Sequence, residues 1–349
     1  MHWDIFCRVI DNHGDLGVCW RLAADLASRG EQVRLWVDDP RALAWMAPQG
    51  AAGVTVVPWL DTPLAFELGD VVIEAFGCNP PAAFVARMAA CKPAPVWINL
   101  EYLSAEPYIE RSHGLPSPQQ HGPGAGLNKW FFYPGFTPAS GGLLREAHAL
   151  DGASAGWLAA QGVPLQDGER HVSLFAYADA PLEPLFDRLD VEPTLILMAA
   201  GAAQAPALAL FDAQHRRGQH LRAHALPWFD QRGYDQLLRA CDLNFARGED
   251  SVVRAMWAGA PFVWQIYAQT DGAHAAKLEA LLDRLTADAE PAIAAELRKL
   301  WRAWNGLGDC PATLPDAAVW RSLCMAWRRH LAAQDDLTSR LLGFVATKR

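Results

Sequence analysis

Two acidic residues follow the first apolar run of the chain, where a helical pattern begins. Asp11 and Asp15 flank the turn-forming segment 12–14, which reads Asn-His-Gly. Carboxylates at the carboxyl end of a parallel strand lie where α/β proteins bind ligands, so both could orient a substrate or accept a proton. Asp, Asn and Gly are also ordinary turn residues, and Asp15 would serve equally well as a helix N-cap. A capping role would account for Asp15 but not for Asp11.

A second polar loop lies between a strand and a helix in the other half of the chain. It contains Arg247, Glu249, Asp250 and Ser251. An anion in this loop would meet the free amides of the helix start, the Ser251 hydroxyl and the Arg247 guanidinium. Asp250 or Ser251 could instead only cap the helix, and the spacing does not decide between these interpretations. Having both Arg247 and Glu249 in one short loop exceeds what a cap requires.

Aromatic residues follow two strands of the same half. Phe175 and Tyr177 alternate at the end of a predicted strand and therefore face the same way. They could flank a planar base, or they could belong to the core. Tyr267 and Gln269 end another predicted strand and could reach the same place, although Tyr267 could equally be a packing residue. Neither half contains G-x-G-x-x-G, which counts against a dinucleotide cofactor.

The elements that would position these residues alternate along the first half of the chain. Near-continuous apolar runs separated by helical patterns are typical of a parallel sheet covered on both faces. Between residues 107 and 152, Pro, Gly and Ser surround one aromatic run at 129–133, which we interpret as an edge element before an interdomain linker. The first half is predicted to contain a helix at 16–29 and strands at 3–10, 32–37, 54–58, 70–75 and 95–99.

The same alternation restarts after the linker and predicts a second parallel sheet. The stretch 194–211 is uncharged enough to raise a membrane question. Gly201, Gln204 and Pro206 interrupt it, so it is interpreted as a strand leading to a helix. The second half is predicted to contain strands at 171–177, 194–199, 220–226, 241–246 and 261–267, and helices near 234–240, 251–258, 272–286, 315–330 and 335–345.

The composition limits the classes of protein to which the chain can belong. Its 349 residues exceed what one hydrophobic core usually serves, so two domains are expected. Its net charge of -9 would repel a phosphate backbone, and we expect no nucleic-acid partner. The seven cysteines are odd in number and widely spaced, which indicates reduced core residues of a cytoplasmic protein. The first residues read as a strand, not as a signal peptide, and no membrane association is expected.

Several segments of the sequence resemble the elongation factor P arginine rhamnosyltransferases, the EarP family. The resemblance extends from the first strand to the region 334–337. Two positions depart from the family pattern, since His13 replaces an aromatic residue and Gln265 replaces a His. The segments that carry the resemblance are Asp-Asn-x-Gly-Asp-x-Gly-Val-Cys-Trp-Arg-Leu (11–22), Lys-Trp-Phe-Phe-Tyr-Pro-Gly-Phe-Thr (129–137), Gly-Gly-Leu-Leu-Arg-Glu (141–146), Cys-Asp-Leu-Asn-Phe-x-Arg-Gly-Glu-Asp-Ser (241–251) and Trp-Ala-Gly-x-Pro-Phe-Val-Trp-x-Ile-Tyr (257–267).

This resemblance implies an α/β protein with the GT-B glycosyltransferase fold, in which two Rossmann-like domains face each other across a cleft. It also implies an inverting transfer of L-rhamnose from dTDP-β-L-rhamnose to an arginine of elongation factor P, with no metal and no cofactor. The family's catalytic carboxylates correspond to Asp11, Asp15 and Glu249. Its donor-binding residues correspond to Phe175, Tyr177, Gln231, Tyr234, Arg247, Asp250, Ser251, Tyr267 and Gln269.

The resemblance also implies how the chain divides. An acceptor-binding domain would comprise 1–152 together with a final helix at 327–349, and a nucleotide-sugar-binding domain would comprise 153–326. Two other functions stay open from the residues alone. An oxidoreductase with a nucleotide cofactor would use similar paired sheets, but this sequence lacks the glycine fingerprint of such enzymes. A non-enzymatic, nucleotide-sensing adaptor would use the donor site without the acids.

Overall fold

The computed structural model describes residues 1–10, 13–59, 67–214, 220–269 and 272–349. The chain divides into two compact units, which are described separately. Unit 1 comprises Met1–Glu146 and Ala332–Arg349, and unit 2 comprises Ala147–Leu331. The boundaries predicted from the sequence lie a few residues away, at 152 and 327. Each unit is built on a parallel sheet, which confirms the predicted α/β class.

The described part of unit 1 contains a seven-stranded sheet with the order β3-β2-β1-β4-β5-β7-β6. The strands pair in parallel except for β6, which is antiparallel to β7. The strands are β1 His2–Cys7, β2 Gln32–Val37, β3 Val54–Pro58, β4 Val71–Ala75, β5 Val96–Leu100, β6 Pro116–Pro118 and β7 Asn128–Phe132. The helices are α1 Gly14–Ser28, α2 Leu43–Met46, α3 Ala82–Ala90, α4 Tyr108–Ser112 and, from the end of the chain, α13 Leu337–Lys348.

The aromatic run at 129–133 was wrongly predicted to be an edge element. In the structure β7 lies inside the sheet, parallel to β5 on one side and antiparallel to β6 on the other. The edge is the three-residue strand β6, which reads Pro-Ser-Pro. Proline cannot donate a ladder hydrogen bond, so it is found at sheet edges, and such a short strand carries no visible alternation.

Successive side chains of each strand point to opposite faces of the sheet. In unit 1 both faces are buried, because each one packs into a separate core cluster. Trp3 and Ile5 of β1 pack on the side that contains α1, whereas Phe6 packs with Trp36 and Phe84 on the other side. The core beneath α1 is completed by apolar residues of α13, the last helix of the chain. These residues are Leu337, Leu341 and Val345, and all three are buried.

Unit 2 contains a five-stranded sheet with the order β10-β9-β8-β11-β12 among its described residues. All of its pairings are parallel. The strands are β8 Arg170–Leu174, β9 Thr194–Met198, β10 Leu221–Ala225, β11 Leu243–Arg247 and β12 Phe262–Gln265. The helices are α5 Trp157–Ala160, α6 Leu182–Leu189, α7 Gln204–Gln214, α8 Gln231–Ala240, α9 Gly248–Ala258, α10 Ala273–Leu285, α11 Pro291–Trp304 and α12 Ala317–Ala332.

Two strands of unit 2 end two or more residues earlier than predicted. Strand β8 stops at Leu174 and β12 stops at Gln265, so Phe175, Tyr177 and Tyr267 lie in the loops that follow. Aromatic residues favour strands, which makes the end of a strand hard to see in an aromatic sequence. The loops begin at the carboxyl edge of the sheet, where ligands of α/β proteins bind.

The structure also shows the state of the cysteines and the elements formed by the uncharged stretch near residue 200. All seven cysteines are free. Cys7, Cys19, Cys241 and Cys324 are buried, as predicted for core residues, whereas Cys78, Cys91 and Cys310 are only partly buried. The stretch 194–211 divides into β9 and the start of α7. Within the described ranges, the helices are too short or too polar to cross a bilayer.

Candidate functional site

The first turn of α1 places Asp15 close to the loop that follows β5. Helix α1 begins at Gly14, and the N-cap position is occupied by His13, whose side chain makes no capping hydrogen bond. The Tyr102 hydroxyl donates a hydrogen bond to Oδ2 of Asp15 at 3.2 Å. Asp15 therefore lies within the first turn and not at the cap itself. Asp11, the other acid of this loop, lies outside the described residues.

Tyr102 is held in place by an aromatic partner from the neighbouring loop. Its ring stacks on Phe76, with a centroid distance of 4.5 Å and an interplanar angle of 18°. Phe76 follows β4, Tyr102 follows β5, and Asp15 lies in the loop and helix that follow β1. The carboxyl ends of three neighbouring strands thus bring these residues together. Tyr102 was not among the residues predicted from the sequence.

A polar cluster lies on β4, β5 and β7 in the same unit. The Lys129 Nζ is 2.6 Å from Oε1 of the buried Glu74, and the Asn99 side chain donates to Oε1 of Glu101 at 2.6 Å. Burial raises the pKa of Glu101, and the hydrogen bond from Asn99 opposes part of that rise. A buried carboxylate is tolerated where a cation or donors compensate for lost hydration, as Lys129 does for Glu74.

In unit 2, Arg247 lies between two aromatic rings. Its guanidinium carbon is 4.5 Å from the Phe175 ring centroid and 4.7 Å from that of Tyr177. Both rings are half-buried, so they are not core residues, and they flank the cation of Arg247. Burial lowers the pKa of Arg247, and burial raises the pKa of Tyr177 to about 12. A desolvated guanidinium that is held by ring faces is suited to bind a planar or anionic group.

Two further tyrosines extend this aromatic cluster. Tyr234 contacts Phe175 edge to face at 5.5 Å, and Tyr267 contacts Tyr177 edge to face at 5.6 Å. Tyr234 belongs to α8, where Asp230 caps the helix by accepting from the Gly233 amide at 2.7 Å. Burial raises the pKa of Tyr234, and the neighbouring Ser251 hydroxyl offsets part of that rise.

Helix α9 begins immediately after Arg247, so its first turn carries the other predicted residues. Arg247 occupies the N-cap position without a side-chain capping hydrogen bond, and Glu249 and Asp250 lie in the first turn. Neither Asp250 nor Ser251 is therefore the N-cap residue. Gly248 has a φ of 67°, a left-handed conformation that glycine adopts without a steric penalty.

Glu249 is paired with a cation, Lys277, that was not among the residues predicted from the sequence. The Lys277 Nζ, from α10, is 2.6 Å from Oε1 of Glu249, and both side chains are about four-fifths buried. Lys277 lies far from Glu249 in sequence, and no local pattern connects the two residues.

Gln265, one of the two departures from the family pattern, supports the loop that contains Tyr177. It is buried, its Oε1 accepts from the Tyr177 amide at 2.7 Å, and its Nε2 donates to Oδ1 of Asp179 at 3.2 Å. His13, the other departure, contacts Trp45 edge to face with a centroid distance of 6.1 Å. Gln265 therefore holds the segment that contains Tyr177 through hydrogen bonds to the Tyr177 amide and to Asp179.

The structure brings most of the predicted unit 2 residues into one region. Phe175, Tyr177, Tyr234, Arg247 and Tyr267 form a continuous chain of ring and guanidinium contacts. Among the others, Glu249, Asp250 and Ser251 lie at the start of α9, Gln231 opens α8, and Gln269 is exposed beyond β12. The described ranges contain no group of three or more His, Cys, Asp or Glu residues that could hold a metal ion.

Comparison with known proteins identifies relatives along the whole chain. The family model described as elongation factor P (EF-P) rhamnosyltransferase EarP matches residues 3–346. A protein-arginine rhamnosyltransferase of Pseudomonas aeruginosa is 42% identical, over 99% of this chain and 98% of the relative. The enzyme of the same name from Neisseria meningitidis serogroup B is 33% identical, over 98% of this chain and 96% of the relative.

Solved structures show the same architecture. A structure that concerns EarP-mediated arginine glycosylation of EF-P matches 100% of this chain and 99% of its own, with 29% identity and a TM-score of 0.64. The glycosyltransferase SnogD from Streptomyces nogalater matches 99% of both chains at 14% identity and a TM-score of 0.57, which supports the fold alone. These neighbours are GT-B glycosyltransferases, so the predicted fold is confirmed.

Proposed function

This chain belongs to the EarP family of EF-P rhamnosyltransferases, and from that premise we propose that it transfers L-rhamnose from dTDP-β-L-rhamnose to an arginine of EF-P. The observation that carries the proposal is the position of the half-buried Arg247, whose guanidinium contacts the rings of Phe175 and Tyr177 at the start of α9. This arrangement offers a cation, helix amides and ring faces to a nucleoside diphosphate.

Unit 2 is proposed to bind the donor. Arg247, the Ser251 hydroxyl and the first amides of α9 would bind the diphosphate, and the aromatic cluster around Phe175 and Tyr177 would contact thymine. As the bond between the sugar and the diphosphate breaks, negative charge accumulates on dTDP. Arg247 and the helix amides would stabilise that charge, which is the electrostatic part of catalysis.

Unit 1 is proposed to supply the acids that act on the acceptor. A guanidinium has a pKa above about 12 and is a poor nucleophile while it is charged. Asp11 and Asp15 would orient the guanidinium through charge-assisted hydrogen bonds, and one of them would accept its proton. We assign Asp15 as the general base and Asp11 as the orienting partner, with Glu249 as the carboxylate contributed by unit 2.

The proposed transfer is a single displacement that inverts the anomeric centre. The arginine nitrogen attacks the anomeric carbon from the face opposite the diphosphate, and the C–N bond forms as the C–O bond breaks. dTDP leaves with the electron pair, and the carboxylate takes the proton. Protein cations and amides can balance the diphosphate charge in this scheme, so we propose that no metal is required. The free thiols support a cytoplasmic location for the reaction.

The test is to incubate the purified protein with EF-P and dTDP-rhamnose, with and without EDTA, and to measure the intact mass of EF-P. We expect a gain of one rhamnosyl group on an arginine, with the same rate in EDTA. Fragmentation of the product locates the modified residue, and NMR of the glycopeptide gives the anomeric configuration. A protein that binds dTDP but leaves the mass of EF-P unchanged would instead support the adaptor function.

A further inference from the structure

Tyr102 links the Asp15 carboxylate to the neighbouring loops of unit 1. The residue follows β5, and 43% of its surface is exposed. Exposed tyrosines usually direct their hydroxyl into solvent, but this hydroxyl donates to Oδ2 of Asp15 at 3.2 Å. The two residues are 87 positions apart in the sequence. The contact therefore depends on the sheet order, which places the end of β5 near the start of α1.

Phe76 fixes the ring from which the hydroxyl projects. The Phe76 ring is stacked on that of Tyr102, and the Phe76 amide donates to the Leu100 carbonyl at 2.7 Å, at the end of β5. Phe76 has a φ of 56°, and only one other non-glycine described residue, Asn79, has a positive φ. Bulky side chains rarely adopt this left-handed conformation, and it persists only where surrounding contacts enforce it, often at functional sites.

We propose that Tyr102 is a positioning residue for Asp15 in arginine rhamnosylation, an inference that rests on the proposed function. Its hydroxyl holds one carboxylate oxygen, which sets the orientation in which Asp15 meets the acceptor guanidinium. The χ2 torsion of an aspartate is intrinsically broad, and a hydrogen bond to one carboxylate oxygen narrows the range of orientations that the group samples. Phe76 keeps the Tyr102 ring, and with it the hydroxyl, at the required place.

The hydroxyl can be removed without removing the ring. Tyr102→Phe keeps the ring that stacks on Phe76 and deletes the hydroxyl that donates to Asp15. We expect kcat for transfer to fall by about tenfold or more, because small errors in the placement of a reacting group cost one to two orders of magnitude. The dTDP affinity, the acceptor KM and the melting temperature should stay at the wild-type values.

Tyr108→Phe is the matched control. Tyr108 lies in the same unit, is 41% exposed and contacts Tyr133 edge to face, so its substitution removes an equivalent hydroxyl from a similar setting. Its kcat should equal that of the wild type. An equal loss of kcat in both variants would show a general effect on the unit and would overturn the proposal.

A double-mutant cycle tests whether Tyr102 acts through Asp15. Transfer by Asp15→Asn and by the Asp15→Asn, Tyr102→Phe double variant should proceed at the same low rate, because the hydroxyl has no carboxylate left to position. A wild-type kcat in Tyr102→Phe, or an undiminished effect in the Asp15→Asn background, would overturn the inference. Absence of transfer by the wild-type protein would instead refute the proposed function, so the two failures are distinguishable.

Discussion

Asp15 provides a direct test of the proposed chemistry, because asparagine preserves its shape and removes its charge. We expect Asp15→Asn to lower transfer by roughly 10²-fold or more, the contribution typical of a general base. The same result is expected for Asp11→Asn. The melting temperature and the dTDP affinity should change little, because the side chain lies in the first turn of α1 and the residues proposed to bind the donor lie in unit 2.

The control for the loss of negative charge is Asp39→Asn. Asp39 is in the same unit, and its side chain pairs with Arg41. Transfer by this variant should match the wild type. Substantial transfer by both Asp11→Asn and Asp15→Asn would refute their assignment as catalytic carboxylates.

Even a lysine at position 247 should impair donor binding and transfer. A lysine keeps the charge but lacks the planar guanidinium that contacts the rings of both Phe175 and Tyr177, so it cannot reproduce these contacts. We expect both Arg247→Lys and Arg247→Ala to weaken dTDP binding and to lower transfer at saturating donor, with the larger loss for alanine. Calorimetry with dTDP measures the first effect, and normal turnover at saturating donor would show that Arg247 is only structural.

Phe175 should contribute to donor affinity through its ring face. The Phe175→Ala variant is expected to weaken dTDP binding by about 1–3 kcal/mol, the effect of losing one base–aromatic stack. In the structure the same ring contacts Arg247 and Tyr234, so its loss also loosens the guanidinium. Phe186→Leu, in the core of the same unit, serves as a packing control. Unchanged dTDP affinity in folded Phe175→Ala would exclude the role in stacking.

Strands were predicted more accurately than the loops that follow them. Parallel strands appear as short apolar runs, so β2 and β3 were predicted with the bounds that the structure has, although β3 is a partly exposed edge strand. The end of β8 was not visible, because Phe175 and Tyr177 continue a strand-like pattern into the loop. Strand β6 was missed because two of its three residues are prolines, which normally argue against a strand.

The C-terminal helix α13 is anchored by Asp336, and this anchor should depend on pH. Asp336 caps α13 by accepting from the Ser339 amide at 2.9 Å, and it is 2.8 Å from Nη2 of Arg29 at the end of α1. Burial alone would raise the pKa of Asp336, but the hydrogen bonds from Ser339 and the charge of Arg29 together lower it below the ordinary value. The stabilisation is therefore present above the pKa of the unfolded chain and is lost as pH falls through the lower, folded pKa.

We expect Asp336→Ala to lower the free energy of unfolding by about 1–2 kcal/mol at pH 7, the range for loss of a helix cap. The difference from the wild type should shrink in acid, below the folded pKa of Asp336. Asp336→Asn is the control that keeps the cap and removes the charge, so it should lose less at pH 7. Urea denaturation at several pH values measures both, and a difference that is independent of pH would contradict the ion-pair contribution.

In the whole protein, the donor and the acceptor should protect different segments from hydrogen exchange. We expect dTDP to slow amide hydrogen exchange in unit 2, in the segments 175–179, 231–234 and 247–251, and to raise the melting temperature by preferential binding to the folded state. EF-P should slow exchange in unit 1, around Asp15, Phe76 and Tyr102. Protection of the unit 1 segments by dTDP alone would show that the donor assignment is wrong.

Contacts between distant parts of the chain could not be predicted from one sequence. The motifs identified Asp15 and Glu249, but not Tyr102 and Lys277, which bind them from 87 and 28 positions away. Gln265 was recognised only as a departure from the family pattern, whereas the structure shows that it supports the Tyr177 amide. A loop motif indicates which residues do chemistry, and the sheet order then determines which side chains hold them in place.

The packing of α13 into unit 1 also affects the order in which the protein can fold during synthesis. Leu337, Leu341 and Val345 are part of the core beneath α1, yet they follow all of unit 2 in the chain. A nascent chain usually folds its N-terminal domain first. Here residues 1–146 are synthesised before α13, so the core of unit 1 stays incomplete while unit 2 is synthesised. The residues of unit 2 are continuous in the chain, so its core does not depend on a later segment. Residues 1–146 thus keep an incomplete core until residues 337–345 have been synthesised.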